Sequence, residues 1–411
     1  VTGALITLLL FPLAGCAFGR RPFSEAFLLG VGLVGGALFV GGVIGVPFAI
    51  TLAVVLIAGV VGIVRGSRAP HPAFGTPLPA GEGLGVRGHA LATVLTIAPL
   101  LVLTFVAAIT PLTDFDGRAF WLLKAKALAH ERSIDGPFFH NEVVFSPRNQ
   151  YPLLIPLDAA TIMSLARDTD DHQVRFLYLG IFAALAFHLR RRVGPWCAVL
   201  FVWIPQFAIS DAGGALTAYN DLGIAAFVAC AFFELMDGER PLMFGLWLSF
   251  LALTKSEGLP LAIILAVIGA FTFRRRIVIA VAPLAIAVVA LVAWRGGIPP
   301  TDEEQFLARL PLLPQHLDRV LPAIGGVLRH AIAPNVWGFF WIAAIVALTL
   351  LAVRREWRPA AVVVSVAAMY VAVYAVSVWI LDDLIDSSVD RLLMHLAGPA
   401  LFAISASVRN R

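Results

Sequence analysis

Apolar residues fall in thirteen continuous runs, at about 3–18, 24–45, 47–64, 90–110, 173–189, 193–209, 219–236, 241–254, 258–273, 277–294, 335–353, 359–381 and 392–408. Continuous runs of this length read as membrane helices, and they lack the alternation that a membrane β-barrel requires. Proline and glycine inside the runs do not break this reading, because neighbouring helices re-satisfy freed backbone groups in lipid. The pattern predicts an all-α polytopic membrane protein with about thirteen transmembrane helices.

Arginine clusters orient the runs. Arg20-Arg21, Arg65 with Arg68, Arg190 to Arg192, Arg274 to Arg276, Arg354-Arg355 with Arg358, and Arg409 with Arg411 belong on the cytoplasmic side by the positive-inside rule. Alternation satisfies all of them only if the segment from Tyr151 to Ala166 does not cross. That segment is short, carries Asp158 at its middle and opens Tyr-Pro, so it is expected as an interfacial helix, lying on or dipping into the interface, in the first large external loop. Residues 111–172, 210–218, 255–257, 295–334 and 382–391 then share the outer face. Residues 315–331 form a candidate amphipathic helix in the second large external loop, 295–334.

Composition agrees with a membrane chain: 60% of the 411 residues are hydrophobic and 14% charged, with mean hydropathy +0.89. Soluble proteins hold nearer about 45–50% and about 25%. The net charge of +4 is spread singly between apolar runs, with no basic stripe for nucleic acid. Cys16, Cys197 and Cys230 lie in apolar segments without ligand spacing and read as small packing residues. Leu13-Ala14-Gly15-Cys16 has the form of a lipoprotein cleavage box, but no basic residues precede it. The linker Gly66–Gly88 is rich in proline and glycine and reads as a flexible cytoplasmic loop. Its Gly83-Leu84-Gly85-Val86-Arg87-Gly88 has dinucleotide-loop spacing but follows no strand, which argues against nucleotide binding.

Candidate chemistry gathers on the outer face. Asp114 and Asp116 flank Phe115 just beyond the run 90–110, a spacing that suits a divalent cation, a general base, or simply a solvated loop start. The following helix, Phe120 to His130, places Trp121, Lys124 and Leu128 on one face, with Lys126 pointing elsewhere. Asp221 opens one apolar run, and Lys255-Ser256-Glu257 forms a tight turn between two others. Ionisable groups at such depth are costly and are functional candidates, although an ion pair of Lys255 with Glu257 or Asp221 is an equally plain reading. Arg391 precedes the last run and offers a guanidinium fork suited to phosphate. Only three of the thirty basic residues are lysines (Lys124, Lys126, Lys255), and all fall on this side.

These segments have a familiar order. Phe115-Asp116-Gly117-Arg118-Ala119-Phe120-Trp121-Leu122-Leu123-Lys124-Ala125-Lys126 resembles the opening of the first external loop in bacterial integral-membrane glycosyltransferases of the GT-C superfamily. That group is related to the protein mannosyltransferases and the aminoarabinose transferases. Asn149-Gln150-Tyr151-Pro152-Leu153-Leu154-Ile155-Pro156 resembles the close of the same loop. Tyr219-Asn220-Asp221, Leu253 to Gly258 and Ser388 to Pro399 resemble the later motifs, in order, across residues 90–405. The chain departs from the pattern at Phe115, where tryptophan is usual, at Arg148-Asn149-Gln150 in place of His-Pro-Asp, and at Ser256 in place of asparagine.

The resemblance implies a core at 90–411, preceded by a loop at 65–89 and by N-terminal helices at 1–64 of unassigned role. It implies transfer of a sugar from a polyprenyl-phosphate donor to an acceptor on the external face of a bacterial plasma membrane, with inversion. The acceptor, a glycan, lipid or protein, is not identified by the sequence. Asp116 would be the general base, with Asp114 beside it as second catalytic carboxylate. Lys124, Lys255 and Arg391 would meet the lipid phosphate, Asp221 and Glu257 would orient those cations or bind sugar hydroxyls, and Trp121 and Tyr151 would offer ring faces. Mg or Mn at Asp114 and Asp116 stays open, since some relatives need a metal and others do not. The alternative is a multi-pass transporter or lipid flippase, although the charges gather at one face and not at span centres.

Overall fold

The computed structural model describes residues 2–66, 86–141, 149–299 and 306–409, and among them there are helices and no strand. The linker residues 67–85, with most of the glycine motif, and Arg148 and Arg411 lie outside the described residues. The N-terminal runs form α1 (Thr2–Gly15), α2 (Phe23–Val43) and α3 (Phe48–Gly66), followed by α4 (Val86–Ile109). The first large loop holds α5 (Leu123–Glu131), α6 (Pro137–His140) and α7 (Leu154–Ala166). Next come α8 (Arg175–Arg192), α9 (Pro195–Val202), α10 (Pro205–Ala208), α11 (Asp221–Asp237), α12 (Pro241–Thr254), α13 (Gly258–Phe273) and α14 (Ile277–Gly297). The C-terminal part comprises α15 (Phe306–Arg309), α16 (Val320–Ala331), α17 (Pro334–Trp337), α18 (Phe340–Val353), α19 (Trp357–Val376), α20 (Leu381–Met394) and α21 (Ala397–Arg409).

Among the described residues, six helical stretches are long and apolar enough to cross a membrane, or seven if α20 and α21, bent by 54°, count as one span. The stretch Gly258–Gly297 contains both α13 and α14, separated at Arg274, whose φ of 51° breaks the helix. The other apolar runs fold as helices shorter than a full span: α11 has 17 residues, and α12 and α18 have 14 each. The run 193–209 is not one helix. It breaks after Val202, because Ile204 precedes proline and takes an extended conformation, and Pro205 has no N–H to continue the ladder.

Close helix packing comes from small residues. A Cβ on Gly30 of α2 would run into the Phe11 carbonyl of α1, and one on Gly245 of α12 would run into the Ala280 carbonyl of α14. Backbones approaching this closely gain dispersion contact, the main source of helix association where lipid tails replace water.

The bundle has two chemically distinct ends. At one, arginines meet acids: Arg21 with Glu25, Arg240 with Glu25 and Glu234, and Arg192 with Asp237 at 2.6 Å. Arg190 of α8 also donates to the Thr93 hydroxyl of α4 at 2.7 Å, so the first residues of α4 lie at this end. At the other end Arg175 donates to the carbonyls of Ala107 and Thr110, and Asp221, Lys255 and Arg295 lie at the termini of α11, α12 and α14. Asp221 and Asp237 sit at opposite ends of α11, roughly 25 Å apart along the helix.

One expectation for the first loop needs correction. α7 does not lie on a surface: every residue from Leu154 to Met163, Asp158 included, is buried. It packs among α1, α2, α5 and α12. Gly35 of α2 admits it, since a Cβ there would collide with the Leu154 carbonyl.

Candidate functional site

The site is built where α11 begins and α12 ends. Asn220 donates from its side-chain amide to the Thr254 carbonyl (3.3 Å), which fixes the two termini side by side. α12 stops at Thr254, Lys255 is fully extended, and α13 starts at Gly258, where a Cβ would strike the Leu251 carbonyl. This tight turn points Lys255 back at α11. Its ammonium lies 2.9 Å from Asp221 Oδ1 and 3.1 Å from Glu257 Oε1. The ion pair that the sequence offered as a plain reading therefore forms with both acids at once.

The same Asp221 oxygen lies 3.2 Å from His395 Nε2, and His395 Nδ1 lies 2.6 Å from the Tyr370 hydroxyl. An ionised carboxylate only accepts, so Nε2 carries a proton. A neutral imidazole then leaves Nδ1 to accept from Tyr370. His395 stands in the break between α20 and α21 and is fully buried. The result is a continuous chain, Tyr370, His395, Asp221, Lys255, Glu257, linking α19, the α20–α21 break, α11 and the α12–α13 turn.

Asp114 and Asp116 part company. Asp114 is buried, and its Oδ2 accepts from the Ala218 N–H at 3.3 Å. A Cβ on Gly117 would overlap that same oxygen, so glycine is needed there. Burial raises the Asp114 carboxyl above the usual aspartate range, opposed by the Ala218 and Gly117 N–H groups and by the charge of Arg175. Asp116 instead points at Arg391, 3.5 Å from Nη1. The Arg391 guanidinium also covers the Tyr219 ring at 5.0 Å and donates to the Ser387 carbonyl. Directly after the two aspartates, Gly117–Leu122 forms a π-helical turn, a wound-out conformation often found at functional sites.

A cavity of about 600 Å³ opens beside these groups. Its wall carries Trp121, Tyr151, Lys255, Glu257, Arg295, Tyr370, Tyr374 and Arg391, and an apolar side formed by Leu259, Pro260, Met369, Val373, Leu384 and Leu392. Of the sequence candidates, Trp121, Tyr151, Lys255, Glu257 and Arg391 are on this wall, and Asp114, Asp116, Asp221 and Lys124 are not. Asp116 and Asp221 sit directly behind it, in contact with Arg391 and Lys255 respectively. Lys124 is buried 5.7 Å from the Trp121 ring and 5.8 Å from the Tyr151 ring. It backs the aromatic pair and does not reach the cavity, whereas Lys126 turns outward to Asp171 at 2.8 Å.

The two loop aspartates direct their carboxylates to different partners, Asp114 to the Ala218 N–H and Asp116 to Arg391. Among the described residues no group of three histidine, cysteine or acidic side chains is arranged to hold a metal.

Four wall or support residues were not singled out from the sequence. Arg295 donates to the Gln150 carbonyl (2.9 Å) and to the Ser256 hydroxyl (3.2 Å), tying α14 to both the first loop and the Lys255 turn. As an arginine on the outer side of the parity scheme, it broke the pattern of the other clusters. Tyr370 and Tyr374, four residues apart in one apolar run, share a helix face. His395 is a lone polar residue near the start of another run, a weak signal.

Compared with family models, with curated proteins and with solved structures, the chain matches none.

Proposed function

We propose that the chain is an inverting membrane glycosyltransferase that takes its sugar from a polyprenyl-phosphate donor. The observation that carries this reading is the composition of one cavity: three cations, Lys255, Arg295 and Arg391, beside an aliphatic wall and the rings of Trp121, Tyr151, Tyr370 and Tyr374. A lipid-linked sugar phosphate presents the matching set, an isoprenoid chain, an anionic phosphate and a polar ring with apolar faces.

In this reading the acceptor oxygen attacks the anomeric carbon from the face opposite the phosphate. The carbon–oxygen bond to phosphate breaks with its electron pair staying on the phosphate, where Lys255, Arg295 and Arg391 meet the developing charge. The acceptor proton goes to Asp116, which Arg391 releases as it turns to the phosphate. Asp221 holds Lys255 in place from behind, and Asp114 holds the loop through Ala218. By the positive-inside rule the arginine-rich end faces the cytosol, so the cavity opens on the external side, with about thirteen crossings once the shorter helices are included. A bacterial plasma membrane supplies such donors on that face.

The test is the composition of cell-envelope glycans in cells with the intact chain, without it, and with D116N. The reading expects one sugar to disappear from one envelope glycan, lipid or protein in both altered strains. An unchanged envelope in both would overturn it.

A further inference from the structure

Lys255 has two carboxylate partners that differ in kind. Asp221 is fully buried and further held by His395, whereas the Glu257 side chain is 28% exposed and lies on the cavity wall. The second Glu257 oxygen, Oε2, has no hydrogen-bond partner among the described residues. One counter-ion is thus enclosed by protein and the other faces the cavity. We propose that Glu257 is a built-in competitor for the phosphate position: it occupies Lys255 when the cavity is empty, yields to a bound lipid phosphate, and displaces that phosphate after transfer.

The proposal rests on the lipid-phosphate reading above and explains how such a site avoids trapping its product. The donor is a phosphodiester with a single negative charge. Transfer breaks its bond to the sugar and leaves a monoester, which at neutral pH carries about −1.5 to −2. A pocket with three cations holds the more highly charged product more tightly than the substrate. Glu257 is tethered two residues from Lys255, so its carboxylate competes at high effective concentration without leaving the site. Because Asp221 stays in place, Lys255 is never left without a counter-ion during the exchange.

The experiment is binding of two probes, polyprenyl monophosphate and its methyl phosphodiester, to the purified full chain in lipid nanodiscs. The variants are E257Q and D383N. Asp383 lies on the same wall but makes no ion pair among the described residues, so it controls for a general loss of negative charge. E257Q should tighten the monoester on the order of tenfold, the scale of one charge-assisted contact, and the diester by less. D383N should shift both by under about twofold, as expected of a solvated charge. Unchanged or weaker monoester binding by E257Q, or an equal gain with D383N, would overturn the exchange. E257A gives the same comparison if E257Q does not accumulate as folded protein. Failure of the unaltered chain to bind either probe would overturn the lipid-phosphate reading as well, a pattern distinct from intact binding that is indifferent to Glu257.

Discussion

The ammonium of Lys255 and the carboxylate of Asp221 lie 2.9 Å apart, both buried, at the junction of two antiparallel helices. Removing Lys255 leaves Asp221 a buried charge held only by His395, whereas removing Asp221 leaves Lys255 with Glu257 still beside it. K255M is expected to destabilise the protein by about 3–5 kcal/mol, D221N by less, and the double variant by clearly less than their sum. Thermal unfolding of the four proteins in one detergent measures this coupling. Additive losses would show that the pair contributes nothing as a pair.

Asp116 and Arg391 are assigned different parts of one reaction. D116N should lower transfer by about 10²- to 10⁴-fold while leaving donor affinity largely intact. R391A should weaken donor binding, because it removes a cation from the cavity wall. Donor titrations of transfer rate separate the two effects. Near-normal turnover by D116N at saturating donor would remove Asp116 from the role of base.

Asp114 gives the loop a pH dependence. Its carboxyl is raised by burial, so the folded chain holds this proton more tightly than the unfolded chain does. The stability it contributes is therefore full below the ordinary carboxylate range and lost as pH rises through the raised value. Asparagine keeps an acceptor for the Ala218 N–H and does not titrate. On going from pH 7 toward about pH 4, the melting temperature of the intact chain should rise relative to that of D114N. A constant difference across that range would contradict the assignment.

The two ends of the bundle should face opposite sides of the membrane. With Cys16, Cys197 and Cys230 replaced by alanine, single cysteines at Arg275 and Ser387, both exposed, report one end each. In intact cells an impermeant maleimide should label S387C and not R275C. Labelling of both, or of R275C alone, would refute the orientation.

Much of this arrangement could be read in the sequence because charge is conspicuous in an apolar chain. Lys255, Glu257 and Asp221 stand out as ionisable residues at the edges of apolar runs, and the run boundaries place them at one end. Helical periodicity put Trp121, Lys124 and Leu128 on one face, and all three are buried. Periodicity does not say what a face meets, so Lys124 behind the Trp121–Tyr151 pair was not foreseen. Length and Asp158 marked Tyr151–Ala166 as a segment that does not cross. Its burial depends on Gly35, more than a hundred residues away, and local pattern carries no such information. The Asp114–Asp116 spacing left a shared cation and a split into base and structural residue both open, and the fold sends one carboxylate to Ala218 and the other toward Arg391. His395 acquires meaning only once the break between α20 and α21 sets it against Asp221.

Cleavage of the sugar–phosphate bond is the most direct test of the whole account. The purified chain would be reconstituted in vesicles holding polyprenyl-phosphate donor labelled in the sugar, then supplied with envelope membranes from cells that lack the chain. The account predicts that label leaves the lipid fraction and becomes covalently attached to envelope material with the intact chain, and that D116N greatly slows this. Label that crosses the vesicle membrane while still joined to its lipid phosphate, at equal rates in the intact chain and D116N, would contradict it and identify a transporter instead.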